Sequence, residues 1–496
     1  MNRMRRGYLV LGILVGSALG SRPSMAQSEY TADYQTNIIS GVVSNWAEGP
    51  YSVGYTNSAD VLLIQNGGVL SDGNADLGYK GSNNVALVTG SGSVWSNGGM
   101  GELRVGTYSA GNQLIISNGG AVFNNNAYLG FYSSSSNNMV SVTGTGSVWS
   151  SSDMYISTQG AGNQLVVSMG GTVYSGTTRI GSTVGTKVVV SDPGSDWIST
   201  GSILVSGSGG SLFVGSSSGS SFGGGNTQYD QLIVTNDGEL RVTNNIGGGR
   251  LAVNGTFSLD SGTVTVDSLQ VNGNGVVTFN DGVLNTKTTH ISNGSGFTVG
   301  NGTNVATLTL ASGGSGFHFF AKGLTISSNA TLSGVGTISG ATTVNGGGVL
   351  APGDGPGSIT FNNSLTLAPG STFAIALNGT GAGQYSQIIE LGGTVSVSNC
   401  VLSVSLGYTP SPGDSFTIIS NLTSMAVLGT FVTTSGVALP NGADFVVDNT
   451  TFQIDYAANA DGLDVDLTAF IPEPSAFLLA ALGGVSLAAF LRRKRA

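Results

Sequence analysis

The chain has 496 residues, 81 of them glycine, with 40 % hydrophobic but only 8 % charged residues, one cysteine and two histidines. So apolar a composition excludes a disordered polymer, and a single cysteine excludes an internal disulfide framework. The formal charge of −10, with no cationic cluster between the termini, excludes nucleic acid as a partner, because phosphate binding needs grouped bases.

At the N-terminus, Arg3, Arg5 and Arg6 precede an apolar stretch from Leu9 to Leu19, and Ser24-Met25-Ala26 offers small residues where a signal peptidase cuts. Residues 1–26 are therefore expected to be a signal peptide forming a helix, with cleavage between Ala26 and Gln27. The general secretory route is preferred to twin-arginine export, since the pair Arg5-Arg6 is common in ordinary signals. With both termini set aside, the body from 27 to 471 holds eight bases against twenty-five acids, a net −17. Residues 27–60 are expected to cap the N-terminal end of a repeat region.

From residue 61 the chain repeats. The four tryptophans recur as Ser44-Asn-Trp46, Ser93-Val-Trp95, Ser147-Val-Trp149 and Ser195-Asp-Trp197, a near-constant separation that marks a repeat array. A strand followed by a glycine turn interleaves with them at Leu62-Leu-Ile-Gln-Asn-Gly-Gly68, Leu114-Ile-Ile-Ser-Asn-Gly-Gly120 and Leu165-Val-Val-Ser-Met-Gly-Gly171, with a degenerate copy at Leu232–Gly238. Short apolar steps at Leu77-Gly78, Val105-Gly106, Leu129-Gly130, Ile156, Ile180-Gly181 and Val205 halve that period. Alternating Val, Ile, Leu and Thr against Ser, Asn and Gly reads as strand, and no long stretch of helical period lies between the termini. The pattern predicts an all-β, right-handed parallel β-helix built from repeats of about 25 residues over 61–365. About seventeen coils stacked at about 4.8 Å would give a rod about 80 Å long. Glycine and asparagine are assigned to corners that need positive φ, with asparagine amides stacking between coils. The tryptophans are expected to fill equivalent core sites in successive coils, in preference to a surface stripe that stacks sugars.

Residues 83–210 resemble the repeat of bacterial autotransporter passengers and PEP-CTERM proteins, carried here by Asn112, Gln113, Leu114, Ser117, Gly119 and Gly120 and again by Asn163, Gln164, Leu165, Ser168, Gly170 and Gly171. Val344–Thr360 is similar to the motif near the end of such passengers. The resemblance implies passenger architecture, and residues 366–470 are assigned to the end of the β-helix and its cap. Only a few residues separate Leu467 from the C-terminal signal, leaving no room for a membrane barrel, so the chain is expected not to export itself.

No grouping of residues points to catalysis or to a bound cofactor. Asp192 with Asp196 reads as a turn, Asp237 with Glu239 as a hairpin or corner, and Asp464 with Asp466 as outward residues of an alternating strand. His290 and His318 lie about one coil apart and are read as chance polar positions rather than a shared metal site. Cys400, in the alternating run Val395–Leu406, is expected to be a buried structural thiol. The rival reading is a polysaccharide lyase or hydrolase on a β-helix scaffold, which needs converging carboxylates.

The C-terminus, 471–496, comprises Pro472-Glu473-Pro474, an uncharged apolar run from Ala476 to Leu491, and Arg492-Arg493-Lys494-Arg495. The run is short for a span but predicts a transmembrane helix in the inner membrane, with the four cations held on the cytoplasmic side. This arrangement resembles the PEP-CTERM sorting signal. The resemblance implies Pro472, Glu473 and Pro474 as the motif read by an exosortase-type membrane protease, and Arg492, Arg493, Lys494 and Arg495 as the membrane-stop charges. It further implies a non-enzymatic, exported surface or extracellular-matrix protein associated with exopolysaccharide and biofilm.

Overall fold

The computed structural model describes residues 32–181, 185–205, 231–244, 247–311, 316–353, 355–459 and 462–470. The expected signal helix, its Ala26–Gln27 cleavage site and the whole sorting tail, Pro472 to Arg495, lie outside the described residues. Within them every regular element is a strand, and no helix is long and apolar enough to cross a membrane.

The alternation seen in the sequence becomes an inside and an outside. Val61–Gln65, Val85–Thr89, Gln113–Ser117, Met139–Thr143 and Gln164–Ser168 pair in parallel, each with its counterpart one coil away. In each the second and fourth residues point inward, which is what period two requires. One interior column thus runs Leu62, Ala86, Leu114, Val140, Leu165 and Val188, every member fully buried. Each large aliphatic side chain so buried contributes about 1.5–3 kcal/mol, and each coil gains it only by resting on its neighbours. The result is an all-β parallel β-solenoid.

Coiling begins before residue 61, since Thr36–Ser40 pairs in parallel with Val61–Gln65 and Val43–Val53 with Val69–Leu77. Among the described residues the coils number about 13 and not the expected seventeen, and they do not keep one length. The coil that carries Leu62 round to Ala86 is longer than the one from Thr256 to Val276 and shorter than the one from Leu365 to Val395. Around the short coil, Thr256–Val271 and Val276–Ile291 run as continuous 16-residue strands, bending at Gly262 and Gly282 without looping out. At the far end Thr450–Ala458 and Asp464–Phe470 pair antiparallel, and the latter closes on Ser415–Asn421. Those strands cover an edge that would otherwise offer unpaired backbone groups to other chains.

The two interleaved motifs prove to be two kinds of turn on alternate coils. In one, Asn66-Gly67, Asn118-Gly119 and Met169-Gly170 all have positive φ, and the amide of the next glycine donates to the residue before the pair, as in Gly68 to Gln65 at 2.9 Å. That geometry is a type I′ turn. The second glycine is obligatory, since a Cβ on Gly68, Gly120 or Gly171 would lie 2.3 Å from a carbonyl oxygen of the preceding coil. In the other coil the motif serine reaches across. The Ser93, Ser147 and Ser195 hydroxyls accept from the Gly67, Gly119 and Gly170 amides at 3.1, 3.1 and 2.9 Å. The double-length repeat in the sequence is therefore a pair of interlocked coils.

This corrects the expectation for tryptophan, which occupies alternate and not successive coils. Trp95, Trp149 and Trp197 share one interior column, with Leu70 before the first and Val122 and Val173 between them, and all three are buried. Each indole donates to a polar side chain of the preceding coil: Asp72 at 2.8 Å, Asn124 at 2.9 Å and Ser175 at 3.0 Å. Trp46 departs from the series. Its ladder partner is Asp72, and its ring stands edge-on to Tyr51 at 5.9 Å.

Met169 is the irregular member of the type I′ set, an exposed side chain at φ 52° where the other copies carry asparagine. Asparagine is far more tolerant of this conformation. Met169→Asn is expected to stabilise the protein by about 0.5–1 kcal/mol, read as a higher midpoint in chemical denaturation; an unchanged or lower midpoint would contradict the turn assignment.

Candidate binding surface

Val61–Gln65, Val85–Thr89, Gln113–Ser117, Met139–Thr143 and Gln164–Ser168 are each preceded by one buried polar residue, and these form a spine. The Asn84, Asn112 and Asn138 backbone amides donate to the side-chain oxygens of Asn112, Asn138 and Asn163 at 3.0, 2.8 and 2.9 Å. Their Nδ2 groups donate to the same oxygens at 2.9, 2.9 and 3.0 Å. Asp60 continues the line at one end, its Oδ1 accepting from the Gln35 amide at 2.9 Å while its own amide donates to Asn84. All five side chains are fully buried. Room for them comes from the corner glycines. A Cβ on Gly54, Gly78, Gly106 or Gly130 would lie 2.1–2.3 Å from the side chain of Asn84, Asn112, Asn138 or Asn163.

The residue one or two places beyond each corner glycine is thrown outward, and in four coils it is tyrosine. Tyr55 stacks on Tyr79 at 4.7 Å, Tyr79 meets Tyr108 edge to face at 5.3 Å, and Tyr108 stacks on Tyr132 at 4.2 Å. A neighbouring column joins the row through Phe131. It runs Arg104, Tyr128, Tyr155, Arg179 in register, with the two tyrosines stacked at 4.9 Å and a guanidinium at either end. Tyr55 and Tyr108 are 55 % and 40 % exposed, so the row is a surface feature and not core. Near it, Ser150, Ser151, Ser152, Tyr174 and Ser175 line a shallow groove of about 350 Å³.

The acidic candidates have structural partners. Asp192 and Asp196 flank a turn closed by Ser195 to Asp192 at 3.1 Å, and Asp237 sits in a corner at φ 62°. The pairing that sequence spacing hid is Asp196 beside Glu239 in the next coil, with Arg241 salt-bridged to the latter. Asp196 is consequently raised, by burial first and by Glu239 second. Asp464 corrects the expectation of a shared solvent face. It is buried and accepts from the Asn421 amide at 2.7 Å, while Asp466 remains half-buried on the outer side.

Asp267 is held by Lys287 at 2.8 Å and by the Asn244 and Gly249 amides at 2.9 Å, contacts that outweigh burial and lower its pKa. Asp72 and Glu390 are pushed up to about 7, in both cases chiefly by burial. Among the described residues no group of three His, Cys, Asp or Glu side chains could hold a metal ion.

The two histidines do fall on adjacent coils, but in a register that separates them. His318 pairs with Thr289 and His290 with Phe319. The ring of His290 therefore lies outside against Phe319 at 5.0 Å, while His318 is buried, bonded to the Thr289 hydroxyl at 3.0 Å and lowered to about 4 by burial. Cys400 is buried as expected and raised to about 11 by that burial. Its run is not one strand, because a turn with Asn399 at φ 53° separates Val395–Ser396 from Val401–Leu406.

Residues 470–495 match the PEP-CTERM protein-sorting motif. Among solved structures, the TibC-catalysed hyper-glycosylated TibA55-350 fragment aligns with 80 % of this chain and 99 % of its own, at 14 % identity and a TM-score of 0.28, too loose a likeness to bear on function. No curated protein matches the chain. Fold and tail together define the class, an all-β parallel solenoid bearing an exosortase sorting signal. The chain is thus an exported protein whose tail marks it for processing by an exosortase, a membrane protease.

Proposed function

We propose that the protein is a non-enzymatic component of the cell surface or extracellular matrix, held in the inner membrane through residues 476–491 until exosortase processing passes it outward. The sorting motif at 470–495, directly after the last strand of the solenoid, is the observation that carries this reading. A right-handed sense for the coil agrees with the great majority of parallel crossovers. The buried carboxylates support a structural body, for Asp72, Asp267 and Asp464 each accept bonds that fasten one coil or turn to another. Outside the cell, a repeated hydroxyl- and amide-covered surface suits weak, multivalent contact with exopolysaccharide.

Replacing Pro472-Glu473-Pro474 by alanines, or deleting the exosortase, should leave the protein made and exported but retained with the membrane fraction. The matrix fraction should lose it. Unchanged delivery to the matrix in both strains would overturn the proposal, as would depolymerisation of a polysaccharide by the purified chain.

A further inference from the structure

The row of tyrosine rings, with Tyr55 and Tyr108 exposed and Tyr79 and Tyr132 half-buried, is too regular for scattered surface residues. It places one ring per coil, at Tyr55, Tyr79, Tyr108 and Tyr132, each just after the corner glycine Gly54, Gly78, Gly106 or Gly130. Its planes do not all lie parallel. The step from Tyr79 to Tyr108 turns through 84° between two face-to-face pairs, and Tyr55 and Tyr108 leave 55 % and 40 % of their surface in solvent. A phenol offers an apolar face and a hydroxyl on one rigid group, which suits it to a partner that is apolar and polar in alternation.

The charges around the row select the kind of partner. Three of the eight cations in the body lie here, with Lys80 over Tyr79 at 6.0 Å, Arg104 over Phe131 at 5.2 Å and Arg179 over Tyr155 at 5.1 Å. Arg104 is engaged with Glu102 and lies 3.9 Å from Asp76, and Asp153 accepts from the Thr177 amide. These three cations and three acids sum to zero in a body that carries −17, so a polyanion approaching the rod is repelled and finds no compensating field on this face. Arg179 has no carboxylate within salt-bridge distance among the described residues, and its Nε is buried without an acceptor. A neutral donor-rich site of this kind matches hydroxyl acceptors.

We propose that this face, from Tyr55 to Arg179, is a docking strip for a neutral polysaccharide lying along the solenoid axis. Sugar rings pack against the exposed parts of Tyr55 and Tyr108, the phenol hydroxyls bond to sugar hydroxyls, and Arg179 donates to hydroxyl oxygens at the far end. The proposal rests on the matrix reading given above and adds to it the site and the ligand class. Each coil repeats the contact, so individually weak contacts sum along one polymer.

The test is native electrophoresis of the purified full chain through gels containing hydroxyethylcellulose, dextran or polygalacturonate. The wild type is expected to be retarded by a neutral polymer and not by polygalacturonate. Tyr79→Leu/Tyr108→Leu should weaken the apparent affinity about ten-fold, the order expected for two aromatic contacts. Arg179→Gln should weaken it about three-fold, the loss of one net hydrogen bond, with an unchanged melting profile. That second variant keeps the test valid if the double variant folds poorly. Migration unaffected by both neutral polymers, equal retardation of wild type and Arg179→Gln, or stronger retardation by polygalacturonate would each overturn the strip. A wild type that reaches the matrix and yet passes both neutral gels freely would sink this inference while leaving the proposed function standing.

Discussion

Asn138→Ala is expected to destabilise the solenoid by about 2–5 kcal/mol, because the change strips acceptors from a buried, fully connected line. The backbone amide and the Nδ2 of Asn112 both donate to the Asn138 side-chain oxygen, and the Asn138 Nδ2 in turn donates to Asn163. Each buried donor left without a partner costs about 1–3 kcal/mol. The low end of the range applies if Asn112 leans on the Ser109 hydroxyl, already 3.0 Å from its Nδ2. Gly106→Ala should be comparably damaging, since its Cβ would lie 2.2 Å from the Asn138 Nδ2 on a backbone at φ 77°. The double variant is the sharper measurement. Removing the Asn138 amide frees the space that the new Cβ needs, so the combined loss should fall well short of the two single losses added together, with only the strain of positive φ remaining. Strict additivity in urea denaturation would show that corner glycine and buried asparagine do not act on each other. A solenoid can unfold by parts, so the three variants should be followed by hydrogen exchange at residues 105–140 as well.

What can be read from the sequence depends on what repeats in it. The strands, the halved period and the corner glycines at Gly78, Gly106 and Gly130 are all legible, because period two and a nearly fixed coil length leave marks on single residues. The asparagine spine is half legible. Asn112 and Asn163 stand in the conspicuous copies of the motif, whereas Asn84 and Asn138 precede strands whose turns differ, so the equivalence of all four shows only when their near-equal spacing is noticed. The tyrosine row escapes a reading of the sequence although its signal is present, one or two residues after each corner glycine. Its members look like polar loop positions until register places them in one line.

Other features depend on register alone. Whether two residues one coil apart face the same way is set by the pairing between their strands, and the pairing of Thr289 with His318 puts His290 and His318 on opposite sides. Likewise Asp196 and Glu239 are far apart in sequence, and no local pattern announces that they are neighbours. Seventeen coils is too many because that count runs the coil spacing on through the C-terminal residues, where Thr450–Ala458 and Asp464–Phe470 pair antiparallel instead of coiling. The coil from Leu365 to Val395 is more than half as long again as the one from Leu324 to Thr342, so turns vary freely outside a constant interior.

Asp72 should make the stability of the N-terminal coils fall as pH rises, and Asp72→Asn should remove that dependence. The three buried indoles donate to Asp72, Asn124 and Ser175, so two of the three equivalent acceptors are neutral and only Asp72 can carry charge into the interior. Burial is the largest influence on it and raises its pKa from 3.8 to about 7, against the lowering contacts of Trp95 and Asn97. A carboxyl raised in the folded state keeps its full stability below the unfolded value near 3.8 and loses it as pH climbs through about 7. The accumulated loss is about 4 kcal/mol above that range. Asparagine fits the same place. Its oxygen can accept from Trp95 as Asp72 Oδ2 does, and its NH2 can meet Asn97 Oδ1, which is buried without a partner, once the Asn97 amide turns over. The advantage of the variant should therefore widen by about 2–3 kcal/mol between pH 5 and pH 8, read from urea denaturation followed by tryptophan fluorescence. Glu390 shifts the same way and His318 the opposite way, but both are present in wild type and variant and cancel in the difference. A gap that stays constant from pH 5 to pH 8 would mean that Asp72 is not protonated in the folded coil, and that the charge beneath Trp95 is stabilised by contacts other than the two donors identified for it.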